Sequence, residues 1–301
     1  MQIASYTFFG FAALFLDTHS IPAAPLKEAE KGRIEMNAPS RRFNTSDTGS
    51  SKRSSSNWRL GETIKTILQS LLIALVIRTV LFQPFNIPSG SLIPTLFVGD
   101  YVMVSKFSYG WSRFSVPFIS DYLPTGRLWS VAPSRGDVAV FKLPSDASTD
   151  LIKRVIGLPG DRIQMKGGRL FINGIMAPRR VDGTFPTKDA SGQVFAAPRY
   201  IETLPNGVKH DVIEIDGDTG EYDNTPEFIV PPGQYFMMGD NRDNSNDSRI
   251  IGSVPFENFL GKAQIIYFSI GSDPSDTSAS ALKIWEWPSA IRLERFLTLI
   301  R

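Results

Sequence analysis

A proline-rich stretch at residues 84–96 organises the chain, and it reads Pro84-Phe85-Asn86-Ile87-Pro88-Ser89-Gly90-Ser91-Leu92-Ile93-Pro94-Thr95-Leu96. Its prolines fix φ, bias the residues before them to extended shapes and remove backbone N–H donors. Gly90 permits backbone conformations that other residues resist, and a serine flanks it on each side. The stretch therefore predicts an irregular turn. Taken alone, it is equally well interpreted as a stiff linker beside a membrane.

An apolar segment precedes this turn, and residues 61–82 are predicted to form a single transmembrane helix. A helix of this length matches a hydrocarbon core of about 30 Å. Lys65 and Arg78 lie near its ends, where long side chains can reach the interface. Gln69 and Ser70 leave a second interpretation open, which is a buried amphipathic helix.

Residues 1–60 are predicted to be a disordered, basic cytoplasmic tail. The polar run at 37–57 has too few apolar residues to form a core, and its Lys and Arg residues orient the span by the positive-inside rule. Everything after the span then lies on the outer side. The apolar run at 6–16 is too short to cross a bilayer. Residues 1–35 are interpreted as an over-extended start with Met36 as the initiator; the alternative is a weak extra membrane contact.

The composition excludes several kinds of chemistry. The chain has 301 residues and a net charge of +2, which gives no indication of a nucleic-acid partner. It has no cysteine, so thiol catalysis, disulfides and cysteine metal sites are excluded. His19 and His210 are its two histidines, and His210 is predicted to lie in a polar surface loop. A Ser-His-Asp triad or a histidine zinc site is therefore not expected.

A mainly β domain is predicted after the span. The 24 glycines and 21 prolines favour turn-rich β structure over a helix bundle. The aromatic segment at 107–119 is interpreted either as a packed loop or as a loop on the lipid headgroups. Short runs with strand-like patterns lie at 101–105, 137–143, 151–156, 162–165, 169–172, 234–238 and 263–269.

Two further stretches have sequences as distinctive as residues 84–96. They read Asp150-Leu151-Ile152-Lys153-Arg154-Val155-Ile156-Gly157-Leu158-Pro159-Gly160-Asp161 and Gly239-Asp240-Asn241-Arg242-Asp243-Asn244-Ser245-Asn246-Asp247-Ser248-Arg249. With residues 84–96, Gly99-Asp100-Tyr101 and Arg135-Gly136-Asp137-Val138, they resemble the type I signal peptidases over residues 62–263. The chain departs from that family at Leu92, where methionine is usual, and this is a volume-conserving apolar change.

The resemblance implies a membrane-anchored serine endopeptidase that removes signal peptides from exported preproteins, cleaving after small-X-small residues. It implies location at the outer face of a bacterial plasma membrane, with signal peptides and the lipid bilayer as partners and no cofactor or metal. Residues 83–162 and 234–270 would form a signal-peptidase-like all-β catalytic domain, with 163–233 as an inserted β subdomain. Residues 271–301 are predicted to be a linker and a C-terminal helical tail, packed on the domain or lying at the membrane interface.

Without a suitably placed histidine or any cysteine, a serine nucleophile with a lysine base is the simplest side-chain pair that can hydrolyse an amide. An ordinary lysine is neutral about once in a few thousand molecules at pH 7, so a lysine base must be desolvated. Lys153 lies in an apolar, strand-like run, where it and Arg154 face opposite sides. Without the resemblance, Lys153 would be interpreted as an exposed lysine on a strand edge.

The resemblance then assigns the roles. Ser91 is the implied nucleophile and Lys153 its general base, which Ser245 orients. The Ser89 hydroxyl and the Ser91 N–H form the implied oxyanion hole.

The resemblance also implies supporting residues around this pair. Asp247 and Arg249 form an ion pair behind the site, and Asp240 is a charge partner for Arg154. Shallow apolar pockets that select small side chains are lined by Phe85, Ile87, Leu96, Val140 and Ile152.

Three alternatives remain from the sequence. One is a catalytically silent, membrane-anchored β domain for binding or assembly, which Leu92 alone favours. Another is a specialised Ser/Lys processing peptidase. A self-cleaving Ser/Lys regulator would need a helix-turn-helix module, which the sequence does not indicate. A calcium loop at residues 239–249 is not predicted, because the spacing and terminal glutamate of an EF-hand are missing.

Overall fold

The structure is a computed structural model that describes residues 55–116, 120–188, 193–271 and 290–301. The predictions for the tail before residue 55, for the Met36 start, for His19 and for the linker at 272–289 lie outside the described residues.

A long helix, α1, spans Ser55–Val80 and so begins before the predicted residue 61. Its segment Gly61–Val80 has a mean hydropathy of 1.6 and is long and apolar enough to cross a membrane. Most of its leucine, isoleucine and valine side chains are exposed. The helix thus matches the predicted single span in length and composition.

The rest of the described chain is mainly β, as predicted. The strands are β1 Phe82–Asn86, β2 Asp100–Ser105, β3 Trp111–Ser112, β4 Arg127–Leu128, β5 Val138–Leu143, β6 Asp146–Gly157, β7 Arg162–Lys166, β8 Arg169–Ile172, β9 Ile175–Met176, β10 Arg179–Lys188, β11 Val194–Thr203, β12 Lys209–Ile213, β13 Phe228–Ile229, β14 Gln234–Met238, β15 Val254–Pro255, β16 Phe259–Ser269 and β17 Thr298–Leu299. A short helix, α2, spans Ser248–Ile251. Single 3₁₀ turns lie at Gly90–Leu92, Arg113–Ser115, Ser120–Tyr122, Gly217–Thr219, Phe256–Asn258 and Leu293–Arg295.

The main sheet has the order β1-β2-β16-β5-β6-β14-β15, with β17 paired to β16. Its pairings are antiparallel, and β5 aligns Val140 with Ile152 of β6. Side chains from β1, β2, β5, β6 and β16 meet in one buried apolar cluster. This sheet is the frame on which the candidate site is built.

Two smaller sheets follow β6 in the chain. One has the order β13-β7-β8-β9 and the other β10-β11-β12. The strands of both fall within residues 162–229. The division into a catalytic domain and an inserted subdomain stays a prediction.

The predicted C-terminal helix is wrong for residues 290–301. This segment forms the 3₁₀ turn Leu293–Arg295 and the strand β17 instead. Its backbone pairs with β16: Arg292 N donates to Ser269 O at 3.1 Å and Ile300 N to Gln264 O at 2.9 Å. The free edge of β16 satisfies these groups in a ladder, which leaves no helical hydrogen bonding for them.

Candidate active site

Ser91 and Lys153 lie together although 62 residues separate them in the chain. Ser91 is in the 3₁₀ turn Gly90–Leu92, and Lys153 is in the middle of β6. The Lys153 amine donates a hydrogen bond to Ser91 Oγ at 2.5 Å. Lys153 is only 4% exposed and Ser91 only 7% exposed. The sequence-predicted pair therefore forms a buried contact.

Burial changes the chemistry of the Lys153 amine. Desolvation lowers the pKa of Lys153 to about 8, although the nearby Asp247 and Asp240 favour the charged form. A neutral amine beside a serine hydroxyl can accept its proton. The pair is thus equipped for nucleophilic attack on a carbonyl.

The segment at residues 239–249 holds the Ser91 turn in place. Asn241 N donates to Ser91 O at 3.1 Å, and Asn241 Nδ2 donates to Gly90 O at 3.2 Å. A Cβ on Gly239 would lie 2.4 Å from Ser91 O and 2.3 Å from Ser245 Oγ. Glycine is therefore required at residue 239 for this close approach.

The two predicted helper serines are placed differently. Ser245 is buried, and its hydroxyl makes no hydrogen bond to Lys153 within the described chain. Ser89 is half-buried at the start of the 3₁₀ turn and does not cap it with its side chain. The orienting role of Ser245 and the oxyanion role of Ser89 stay predictions.

Both predicted ion pairs are present behind the site. The fully buried Arg154 donates to both Asp240 oxygens at 2.8 and 2.7 Å. Arg249 donates to both Asp247 oxygens at 2.9 Å. Burial alone would raise the pKa of Asp240 and of Asp247, but the arginine beside each carboxylate outweighs it and lowers the pKa. The Arg154–Asp240 pair joins β6 to residues 239–249, and the Arg249–Asp247 pair stabilises that segment internally.

The predicted pocket residues share one apolar cluster with Leu92. They are almost fully buried, so their side chains pack mainly against one another: Phe85, Ile87, Leu96, Val140 and Ile152. Their contact with a substrate stays a prediction. Leu92 is likewise 0% exposed, so it is a core residue of this structure.

Comparison with known families decides the identity of the chain. Residues 60–268 match the family model described as signal peptidase, peptidase S26. The chain belongs to this family. It is accordingly a serine endopeptidase, as the sequence predicted.

Relatives cover most of the chain. Signal peptidase I of Rickettsia typhi is 41% identical over 255 residues, which are 79% of this chain and 95% of the relative. Signal peptidase I of Rickettsia conorii is 41% identical over 237 residues, which are 75% and 87% of the two chains. A crystal structure of a signal peptidase I from Enterococcus faecalis is 27% identical, covers 44% of this chain and 97% of its own, and has a TM-score of 0.26.

Sequence reasoning missed His210, which was predicted to lie on a surface loop. That prediction is wrong, because His210 is in β12 and only 5% exposed. Its Nε2 lies 3.5 Å from Glu202 Oε2 and 3.9 Å from Asp240 Oδ1. Burial lowers the pKa of His210 to about 4, so the imidazole is neutral at pH 7. The alternation of His210 and Val212 on one face was the signal that could have shown its burial.

Arg242 was also missed as a buried residue of this region. It is 0% exposed and donates to both Glu202 oxygens, at 3.1 and 2.5 Å. Its backbone N–H donates to Ile213 O at 3.1 Å. These contacts fasten residues 239–249 to β11 and β12.

Proposed function

We propose that this chain removes N-terminal signal peptides from exported preproteins, with Ser91 as nucleophile and Lys153 as general base. The observation that carries the proposal is the buried 2.5 Å contact between Lys153 Nζ and Ser91 Oγ. Family membership supports the reaction, since the relatives named above are signal peptidases. Ser91 Oγ is hydrogen-bonded to Lys153, whereas His210, the histidine within the described residues, lies against Glu202 and Asp240, so lysine is the base that the geometry favours.

In the first half of the reaction, neutral Lys153 takes the proton of Ser91 Oγ as that oxygen attacks the scissile carbonyl carbon. The carbonyl oxygen becomes an oxyanion, for which the Ser91 N–H and the Ser89 hydroxyl are the proposed donors. Collapse of the intermediate breaks the C–N bond, and Lys153 returns its proton to the leaving amine.

In the second half, the signal peptide is an ester on Ser91. Neutral Lys153 takes a proton from a water molecule as its oxygen attacks the ester carbon. The C–O bond to Ser91 breaks, and the proton returns to Ser91 Oγ, which restores the free enzyme.

Cleavage after small-X-small residues is the proposed specificity. Its support is the buried apolar cluster that contains Leu92, the neighbour of Ser91 in the chain, together with Phe85 and Ile152. A densely packed apolar surface of this kind can contact alanine-like side chains and has little room for large ones.

Anchoring by α1 in a bacterial plasma membrane, with the N-terminus in the cytoplasm, is the proposed topology. The apolar segment Gly61–Val80 supports the span, and the basic residues before it support the orientation. The chain between Phe82 and Ser91 reaches at most about 30 Å when extended, so the nucleophile stays near the outer membrane surface.

The test is cleavage of a model preprotein by the full chain in detergent or lipid. Ser91→Ala and Lys153→Met should abolish cleavage, while the wild type cuts after a small residue. Lys106→Met is the matched control, because Lys106 is also a buried lysine but donates to Ser115 O at 2.6 Å. It should still cleave.

Circular dichroism confirms that each variant is folded. A Lys153→Met variant that cleaves like the wild type would refute the dyad. A folded wild type that is inert on several preproteins would favour the silent binding domain instead.

A further inference from the structure

Three carboxylates from separate segments converge outside the Ser91–Lys153 contact. Glu214 follows β12, Asp223 follows the 3₁₀ turn Gly217–Thr219, and Asp243 belongs to the segment at residues 239–249. One oxygen from each lies within 4.8 Å of the other two. Such a group is a candidate ligand set only if its oxygens lack protein partners.

Two of these carboxylates have a buried oxygen without a donor. Glu214 Oε2 and Asp223 Oδ1 accept no hydrogen bond from the described chain, and both residues are 0% exposed. A buried anionic oxygen without a donor is costly, so such groups are normally compensated by a cation or a proton.

The remaining oxygens fix the three carboxylates in place. Arg179 donates to Glu214 Oε1 at 2.7 Å, the Gly220 N–H to Asp223 Oδ2 at 2.6 Å, and the Asp216 N–H to Asp243 Oδ2 at 2.8 Å. Each carboxylate is therefore fixed by a hydrogen bond to one of its two oxygens.

Gly220 lies close against this group. A Cβ at residue 220 would lie 2.4 Å from Asp243 Oδ1 and 3.3 Å from Asp223 Oδ2. A side chain at residue 220 would therefore displace the Asp243 carboxylate from its present position.

We propose that Glu214, Asp223 and Asp243 bind a calcium ion. Oxygens within 4.8 Å of one another can share one Ca²⁺, whose bonds to oxygen are about 2.3–2.6 Å long. The ligand set has no nitrogen or sulfur, which disfavours zinc. Calcium also tolerates irregular geometry and completes its shell with carbonyl oxygens and water, whereas magnesium demands a regular octahedron.

The arginine beside this group leaves the second oxygen of Glu214 open. Arg179 donates to Glu214 Oε1, whereas Glu214 Oε2 and Asp223 Oδ1 have no donor within the described chain. These two buried oxygens are therefore available to a cation.

The ion would connect two loops near the nucleophile. Asp243 lies two residues after Asn241, whose N–H holds Ser91 O. Asp223 lies in the loop that also supplies Gly220. No linear spacing contains all three ligands, which explains why the sequence indicated no metal.

The test is calcium titration of the full chain in detergent by isothermal titration calorimetry, after treatment with chelator. We expect one Ca²⁺ per chain, weaker binding of Mg²⁺, and a rise in the unfolding temperature with Ca²⁺. Asp223→Asn and Glu214→Gln should each weaken calcium binding at least about tenfold. Glu221→Gln, an exposed acid of the same loop, is the matched control and should bind like the wild type.

Several outcomes would overturn the site. They are the absence of calcium binding by folded wild type at millimolar Ca²⁺, equal binding by the Asp223→Asn variant, or Mg²⁺ binding as tightly as Ca²⁺. Asp243→Asn, at a partly exposed residue, provides a second variant if the buried substitutions fail to fold. None of these measurements uses peptide cleavage, so they stand apart from the proposed function.

Discussion

Cleavage should rise with pH and level off above about pH 8, because only the neutral Lys153 amine can take the proton of Ser91. At pH 7, a lysine with a pKa of about 8 is neutral in roughly one molecule in ten. With the ordinary pKa of 10.5, it would be neutral in about one molecule in 3000. Burial of Lys153 therefore supplies about 300 times more active base at pH 7.

The assay is kcat/KM for a signal-peptide substrate, measured with the full chain in detergent between about pH 6 and about pH 9. From about pH 6 to about pH 7 we expect a tenfold increase, with a slope of one on logarithmic axes. Circular dichroism at each pH confirms that the chain stays folded.

A second buried lysine makes the control. Burial also lowers the pKa of Lys106 to about 8. If the protonation of Lys106 affected folding, kcat/KM would therefore change over the same pH range. The rise in kcat/KM should persist unchanged in Lys106→Met. A flat profile, or a rise that disappears in Lys106→Met, would refute the assignment of Lys153 as the base.

Three substitutions test the surroundings of the pair. Asp240→Asn leaves the buried Arg154 guanidinium without its charge partner, so urea unfolding should show a loss of about 3–5 kcal/mol. Gly239→Ala places a Cβ 2.4 Å from Ser91 O, so the nucleophile should shift and kcat/KM should fall about 100-fold. Leu92→Met conserves the volume of a core side chain, so it should lower the free energy of unfolding by less than about 1.5 kcal/mol and preserve cleavage.

Each of these has a matched comparison. Glu227→Gln removes an exposed ion pair with Arg162 and should lower the free energy of unfolding by at most about 1 kcal/mol. If Asp240→Asn lowered it by no more than this amount, the reasoning about the buried Arg154–Asp240 pair would be wrong. Gly61→Ala has nothing within 4 Å of its new Cβ, and the reasoning fails if it impairs cleavage as much as Gly239→Ala. Inactivation by Leu92→Met would show that Leu92 does more than fill the core.

Local patterns in the sequence were enough to predict the β class, whereas the contact between Ser91 and Lys153 was predicted from the family resemblance. The strand pattern around Lys153 indicated β6, and the prolines around Ser91 indicated an irregular turn. The motifs carried the pairing of these two residues, because they resemble a family in which both act together. Spacing alone would not have paired residues so far apart.

Long-range pairing explains what the sequence did not predict. His210 is buried because β12 pairs with β11 and brings it opposite Glu202, which no local pattern specifies. The C-terminal segment has the Trp, Leu and Arg content of an amphipathic helix, but the exposed edge of β16 offers its backbone a ladder. Glu214, Asp223 and Asp243 likewise come together only after β12 and residues 239–249 have packed.

The junction between α1 and β1 has a consequence for substrate choice. The helix ends at Val80 and the first strand begins at Phe82. Trp111 Nε1 donates to Val80 O at 2.7 Å, and Lys106 N donates to Leu81 O at 2.9 Å. These two hydrogen bonds hold the backbone at Val80 and Leu81 beside β3 and the end of β2, so one residue separates the end of the helix from β1. In the proposed enzyme, the short chain between Val80 and Ser91 would limit how far from the lipid a preprotein can be cut, and this limit would add to the selection by the residues at the cleavage point.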